Sequence, residues 1–173
     1  MTTGGRNFLV KILGIDPGLN ATGYGIVDVN PNRRVVLLEV GTIEPRSKDS
    51  LPDRLNKIYK NLDDILVQYK PDVMVVEKLY AHYKHPITAC IMGHVRGVIV
   101  LLCNHRGLRL VEHSVKRIRK ALLGNGNASK LQTREAVCHH LKINSAGLTL
   151  DASDALALAM GYAMMQRFSP DPA

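Results

Sequence analysis

An apolar run that ends on a carboxylate constrains this chain more than any other feature. In Ile12-Leu13-Gly14-Ile15-Asp16 the aliphatic residues lead into one acid, Pro17-Gly18 turn the chain, and a second apolar run, Tyr24 to Val29, returns beside the first. Burying a carboxylate without a partner costs several kcal/mol, roughly the stability margin of a whole domain. Two compensations are open: backbone N–H donors from the turn, or a bound cation. Asp-Pro-Gly is also an ordinary turn sequence, so this stretch leaves both readings standing.

The chain beyond it predicts an α/β fold. The turn Asn30-Pro31-Asn32 leads to a third strand over residues 33–43, closed by Pro45, and three short-looped strands in succession predict an antiparallel meander. Ser50 can cap a helix in which Leu51, Leu55, Ile58, Leu62, Leu66 and Tyr69 recur at three- to four-residue spacing, with Pro71 marking its end. Val73 to Val76 is a continuous apolar run, the pattern of a strand buried on both faces, and it ends in Glu77. A right-handed crossover would lay strand 73–77 parallel to strand 9–16, with both carboxylates at the same end. Taken alone, Glu77 has the alternative of an ion pair with a neighbour such as Lys78. A long helix over 86–104 carries Gly93 and Gly97 one turn apart, which predicts close packing inside the domain before a dimer contact. Leu108 to Glu112 gives the last strand. The final helix opens Leu150-Asp151-Ala152-Ser153-Asp154, which puts two acids on one face. A capping arrangement is the alternative for that pair.

Charge narrows the partner. The 173 residues, 46% hydrophobic, suit one domain over 9–168 with a flexible N-terminus (1–8) and tail (169–173). A net charge of +8 favours a polyanion, nucleic acid before membrane. Between Ser114 and Lys142 stand seven basic residues, Lys116, Arg117, Arg119, Lys120, Lys130, Arg134 and Lys142, against one acid, Glu135. Within that segment Leu123-Gly124-Asn125-Gly126-Asn127-Ala128-Ser129-Lys130 is a glycine-rich turn entering a helix. It suits a phosphate cradle or a plain capped helix, and it lacks the Gly-Lys-Ser/Thr step of a Walker A loop. Cys90, Cys103 and Cys138 are odd in number and unpaired in spacing, so they read as reduced core thiols. The N-terminus lacks the apolar core of a signal peptide, and the longest uninterrupted apolar run, Val98 to Cys103, is short for a bilayer. The expectation is a cytoplasmic protein with no membrane partner.

Asp16, Glu77, Asp151 and Asp154 therefore end two apolar strands and begin an Ala-rich helix in an otherwise basic chain. Gathered together they repel one another, and two hard divalent cations resolve that repulsion; Mg2+ prefers such oxygen ligands. An acidic, metal-binding hole in a basic surface is the design of a nuclease.

Five segments, GIDPGLNATGYG, VMVVEKLY, GHVRG, LLGNGNASK and DASDALALA, together resemble the RuvC family of bacterial Holliday-junction resolvases, in the right order from about residue 10 to 165. The resemblance implies a ribonuclease H-like fold: a five-stranded mixed sheet, with a three-strand meander plus parallel strands, flanked by helices. It also implies a homodimer, two Mg2+ per subunit with Mn2+ as a substitute, paired symmetric nicks in four-way DNA junctions, and a branch-migration helicase complex as partner. The family's metal-binding acids fall on Asp16, Glu77, Asp151 and Asp154, and its loop lysine on Lys130, beside the scissile phosphate. Tyr80 falls where the family places an aromatic, usually Phe, that stacks on junction bases, an interaction worth roughly 1–3 kcal/mol per base. Lys116, Arg117, Arg119, Lys120 and Arg134 are the further candidates for DNA contact.

Two departures qualify the match. Arg119 stands where the family usually has lysine; it keeps the charge but cannot donate a proton, which favours phosphate binding. The loop from Tyr80 to Ile87 is one residue longer, with His85-Pro86 where the family often has Asn, which leaves the cut-site base preference open. His82, His85 and His94 show no repeated ligand pattern. A ribonuclease H-like RNA nuclease and a non-catalytic junction-binding module are the competing readings. A two-domain phosphotransferase would need a longer chain.

Overall fold

The computed structural model describes residues 10–30, 32, 34–78 and 86–166. In chain order the elements are β1 (Val10–Asp16), β2 (Thr22–Val29), β3 (Val35–Ile43), α1 (Leu51–Tyr69), β4 (Val73–Glu77), α2 (Pro86–His105), β5 (Arg109–His113), α3 (Val115–Leu123), α4 (Lys130–Leu141) and α5 (Leu150–Met165). The strands form one sheet in the order β3-β2-β1-β4-β5. β1, β2 and β3 are the antiparallel meander, while β4 runs parallel to β1, and β5 parallel to β4. Parallel neighbours require crossovers, and α1 and α2 supply them.

Strand periodicity sorts the side chains into two cores. Leu13, Ile15, Ile26, Met74 and Val76 pack under α1 and α2. Ile12, Val27, Val29, Val73 and Val75 pack under α3, α4 and α5. By the same alternation Gly14, Asp16 and Glu77 belong to the α5 face. α1 forms as its pattern predicts: Ser50 accepts from the Asp53 amide, Ile58, Leu62 and Leu66 are buried, and Lys70 closes the helix in the left-handed region (φ 49°) before Pro71.

α5 is apolar almost all round because it is buried almost all round, between the sheet and the pair α3 and α4. Its approach to the sheet depends on missing side chains. A Cβ at Gly14 would lie 2.0 Å from the Ala155 carbonyl oxygen, and one at Gly23 2.1 Å from that of Asp151. The sheet therefore offers α5 a groove, and the groove ends where Asp16 ends β1.

Several expectations need correction. Among the described residues Gly93 and Gly97 make no close packing inside the domain: a Cβ at either meets nothing described within 4 Å, since this face of α2 points away from the sheet. Cys90 is exposed on α2, and only Cys103 and Cys138 are core thiols. α3 is an additional helix, capped by Ser114 and closed at Gly124 (φ 74°), in the stretch read only as basic. α2 from Ile87 to His105 is, by length and composition, apolar enough to cross a membrane. Counting only the run Val98 to Cys103 hid this, because Gly93, His94, Arg96 and Gly97 interrupt the sequence pattern. One side of α2, with Val95, Ile99, Leu102 and Cys103, is buried on the sheet.

Candidate metal and nucleic-acid site

β1 and β4 are paired up to Ile15 opposite Val76, so the next residues of the two strands, Asp16 and Glu77, leave the sheet side by side on the α5 face. Asp151 and Asp154 arrive from the first turns of α5. Neither acid caps that helix. Thr149 is the cap, accepting from the Ala152 amide at 3.2 Å, so the capping alternative for the acid pair is overturned. Asp151 still lies in the first turn, where the helix dipole favours an anion.

Asp16, Glu77 and Asp154 line one cleft of about 290 Å3 together with Arg119, Lys130 and Thr133. Asp151 does not line it, though its charge acts on Asp16. Lys130, at the start of α4, extends across the cleft, and its ammonium donates to Asp154 Oδ2 at 2.7 Å. The glycine-rich turn thus delivers a cation to the acids. At the start of α4 two amides are already bonded, since Ser129 accepts from the Gln132 amide while the Gln132 side chain accepts from the Ser129 amide, a capping box.

Electrostatics set these groups apart. Asp16 is pushed from an ordinary 3.8 up to about 7, first by burial and then by the charges of Asp154, Glu77 and Asp151, with Lys130 acting in the opposite direction. Burial, then Asp154, also raises Glu77, while Lys130, Arg119 and Arg96 pull it back. Lys130 is held protonated above its ordinary value, chiefly by the bond to Asp154.

Among the described residues no group of three or more His, Cys, Asp or Glu side chains is gathered closely enough to hold a metal ion by itself. Mg2+ binds through one or two carboxylates and takes its remaining oxygens from water and substrate phosphates. The donors are all hard oxygens, and the anionic crowding at Asp16 is the imbalance that a divalent cation relieves.

Lys116, Arg117 and Lys120 are exposed on α3, the helix whose Arg119 lines the cleft. Arg134 donates to the Ser145 carbonyl and ties α4 to the turn before α5. Tyr80, His82 and His85 lie outside the described residues. Sequence reasoning missed Thr133, buried in the cleft wall, and Arg96, whose Nη1 donates to the Glu77 carbonyl at 2.7 Å. A lone cation inside the apolar stretch of α2 was the available signal for Arg96.

The family described as Crossover junction endodeoxyribonuclease RuvC matches residues 12–162. A crossover junction endodeoxyribonuclease RuvC of Rhodopirellula baltica is 40% identical over 149 residues, covering 86% of this chain and 83% of the relative. The protein of the same name from Finegoldia magna is 38% identical over 159 residues, covering 92% and 96%. Among solved structures, T. thermophilus RuvC in complex with Holliday junction substrate superimposes with a TM-score of 0.81 at 21% identity, covering 90% of this chain and 94% of that one. At that identity the likeness establishes the fold, which is the ribonuclease H-like sheet and helices described above.

Proposed function

This chain belongs to the RuvC family of crossover junction endodeoxyribonucleases, and from that membership we propose that its cleft is a two-metal phosphodiester hydrolase acting on four-way DNA junctions. It is an endonuclease that resolves Holliday junctions. The observation that carries the reading of the site is the convergence of Asp16, Glu77 and Asp154 with Lys130 and Arg119 on one cleft.

Asp16, Glu77, Asp151 and Asp154 would hold two Mg2+, with Mn2+ as a substitute. When bound, these ions supply an activated water for attack and charge neutralisation at the departing 3' oxygen. The protein's own part is placement and charge. Asp16 and Glu77 are fixed by the last paired residues of two central strands, and α5 brings the other two acids to the same edge. Lys130 pairs with Asp154, and in this reading its ammonium turns to the scissile phosphate as charge develops there. Arg119 holds a neighbouring phosphate, because a guanidinium does not give up its proton. Lys116, Arg117 and Lys120 bind the arms of the junction, and Tyr80 stacks near its centre.

Concerted cutting of two strands requires two cleft copies related by a two-fold axis. The outer face of α2 supports a homodimer: Gly93 and Gly97 leave its surface open, and Val100 and Leu101 are exposed at 45% and 50%. Leu101→Glu is expected to convert the dimer to a monomer in sedimentation velocity while leaving the circular dichroism unchanged. A variant that stays dimeric would move the interface elsewhere. The branch-migration helicase complex and a cytoplasmic location follow from the family in the same proposal.

The deciding experiment is cleavage of a synthetic four-way junction under Mg2+, beside linear duplex and an RNA–DNA hybrid. Paired nicks in the junction alone support this reading. Binding without cutting under Mg2+ or Mn2+ would favour the junction-binding module, and preferential cutting of the hybrid the RNA nuclease. In the same assay Lys130→Ala is expected to lower the cleavage rate about 100- to 1000-fold, the scale of losing one preorganised donor to developing charge. Junction affinity should change by no more than a single phosphate contact. An unchanged rate would remove Lys130 from the chemistry.

A further inference from the structure

Glu77 is the last residue of β4, and beyond it sheet pairing no longer fixes the backbone on its own. The peptide group that joins Glu77 to Lys78 is nevertheless held at both ends. Its N–H donates to the His113 carbonyl at 2.9 Å, and its carbonyl accepts from Arg96 Nη1 at 2.7 Å. The second terminal nitrogen of Arg96 is paired with Glu112, on β5 opposite Val76. One guanidinium therefore reaches from α2 to the ends of two adjacent strands.

This is a poor arrangement if stability is the only requirement. Arg96 follows Val95 and precedes Ile99, both wholly buried, and its own side chain is 13% exposed. An aliphatic residue there would pack at least as well, since a desolvated ion pair returns little net stability. What the guanidinium adds is direction. Fixing both ends of one peptide plane fixes ψ of Glu77, and the backbone angles in turn restrict its side-chain rotamers.

We propose that Arg96 is a positioning residue for Glu77, with Glu112 as its anchor: the bridge between the β4 carbonyl and the β5 carboxylate sets the direction in which the Glu77 side chain enters the cleft. The inference rests on the reading of Glu77 as a metal-holding acid. It also gives α2 a part in the cleft, because the helix whose outer face bears Gly93 and Gly97 carries this clamp inward.

Arg96→Lys keeps the charge but loses the planar fork that spans two acceptors. Glu112→Gln keeps the shape at a side chain that is 42% exposed, so it preserves folding. Mn2+ binding to DNA-free protein is followed by electron paramagnetic resonance, the Lys78 amide by hydrogen exchange, and junction cleavage by single-turnover kinetics. Arg96→Lys is expected to weaken Mn2+ binding and slow cleavage by about 10- to 100-fold each, as loss of an outer partner of a metal ligand does. Glu112→Gln should act in the same direction by several-fold. Exchange at Lys78 should accelerate in both, with junction affinity in the absence of divalent cations kept within about twofold. Lower melting temperatures with Mn2+ affinity and cleavage per folded molecule unchanged in both variants overturn the proposal, leaving Arg96 a structural strand-end tie. If Arg96→Lys does not fold, the Glu112→Gln values decide. Wild-type protein that neither binds Mn2+ nor cleaves in Mg2+ would instead sink the underlying metal reading, and this inference with it.

Discussion

Asp16→Asn is expected to abolish junction cleavage and, at the same time, to stabilise the metal-free protein at pH 8. Asp16 is raised from 3.8 to about 7 in the folded state, by burial first and by Asp154, Glu77 and Asp151 next. A carboxyl group raised in this way favours folding most fully below its unfolded value, and the contribution is lost as pH climbs through the folded value. Wild-type protein without metal should therefore lose stability between about pH 4 and pH 8. A shift of this size corresponds to about 4 kcal/mol at most. Asparagine is neutral throughout, so its advantage should be absent at pH 4 and near full at pH 8, on the order of 10 °C in melting temperature for a chain of this length. Mg2+ should reverse the ranking by stabilising the wild type through mass action. Cleavage should fall at least about a thousandfold, corresponding to several kcal/mol of lost transition-state stabilisation, with junction binding retained. Thermal melts at the two pH values, with and without Mg2+, check the stability half. An Asn variant that melts below the wild type at pH 8 without metal would refute the claim that burial and the neighbouring acids make an ionised Asp16 costly.

Gly14→Ala is expected to destabilise the fold strongly. Its Cβ would sit 2.0 Å from the Ala155 carbonyl oxygen and 2.8 Å from the Ala159 amide nitrogen, both backbone atoms of α5 that cannot rotate away. The helix has to lift off the sheet. Overpacking of a core typically costs about 1–3 kcal/mol, and a clash with rigid backbone belongs at or above the top of that range. Because Asp151 and Asp154 ride on α5, cleavage should fall further than the unfolded fraction explains, and Mg2+ stabilisation should shrink with it. Urea unfolding gives the first quantity and a Mg2+ titration of the melting temperature the second. Gly93→Ala is the contrast. Among the described residues its Cβ meets nothing within 4 Å, so α2 should gain about 0.5–1 kcal/mol of helix stability, read in the Leu101→Glu background because Gly93 lies on the proposed dimer face. A Gly14→Ala variant as stable as the wild type would mean that α5 is not seated in a glycine groove.

Much of this was legible in the sequence because it depends on local pattern. Period-two and continuous apolar runs marked β1, β2 and β4, the spacing of Leu55, Ile58, Leu62 and Leu66 marked α1, and both strands visibly ended on acids. The quoted segments carried the family, and with it the order of the four carboxylates. The misreadings have a common origin. Gly93 and Gly97, read for close packing inside the domain, face away from the sheet, whereas Gly14 and Gly23, which drew no such reading, receive a helix. The Asp151 and Asp154 spacing fits a capped helix as well as a metal site, and only the position of Thr149 separates the two.

Hydrophobic periodicity and turn chemistry act over a few residues, and on that scale the chain alone marked β1, β2, β4, α1 and the acids, though not α3. Tertiary structure alone decided that Asp16 meets Glu77 across 61 residues of chain and meets Asp154 across 138, that Lys130 reaches Asp154, and that Arg96 holds the last peptide of β4. The physical reason is that a carboxylate's environment, meaning its burial, its neighbouring charges and the direction of its backbone, is set by groups remote in sequence. Only parallel strand pairing and the packing of α5 into the sheet bring those groups within a few ångströms.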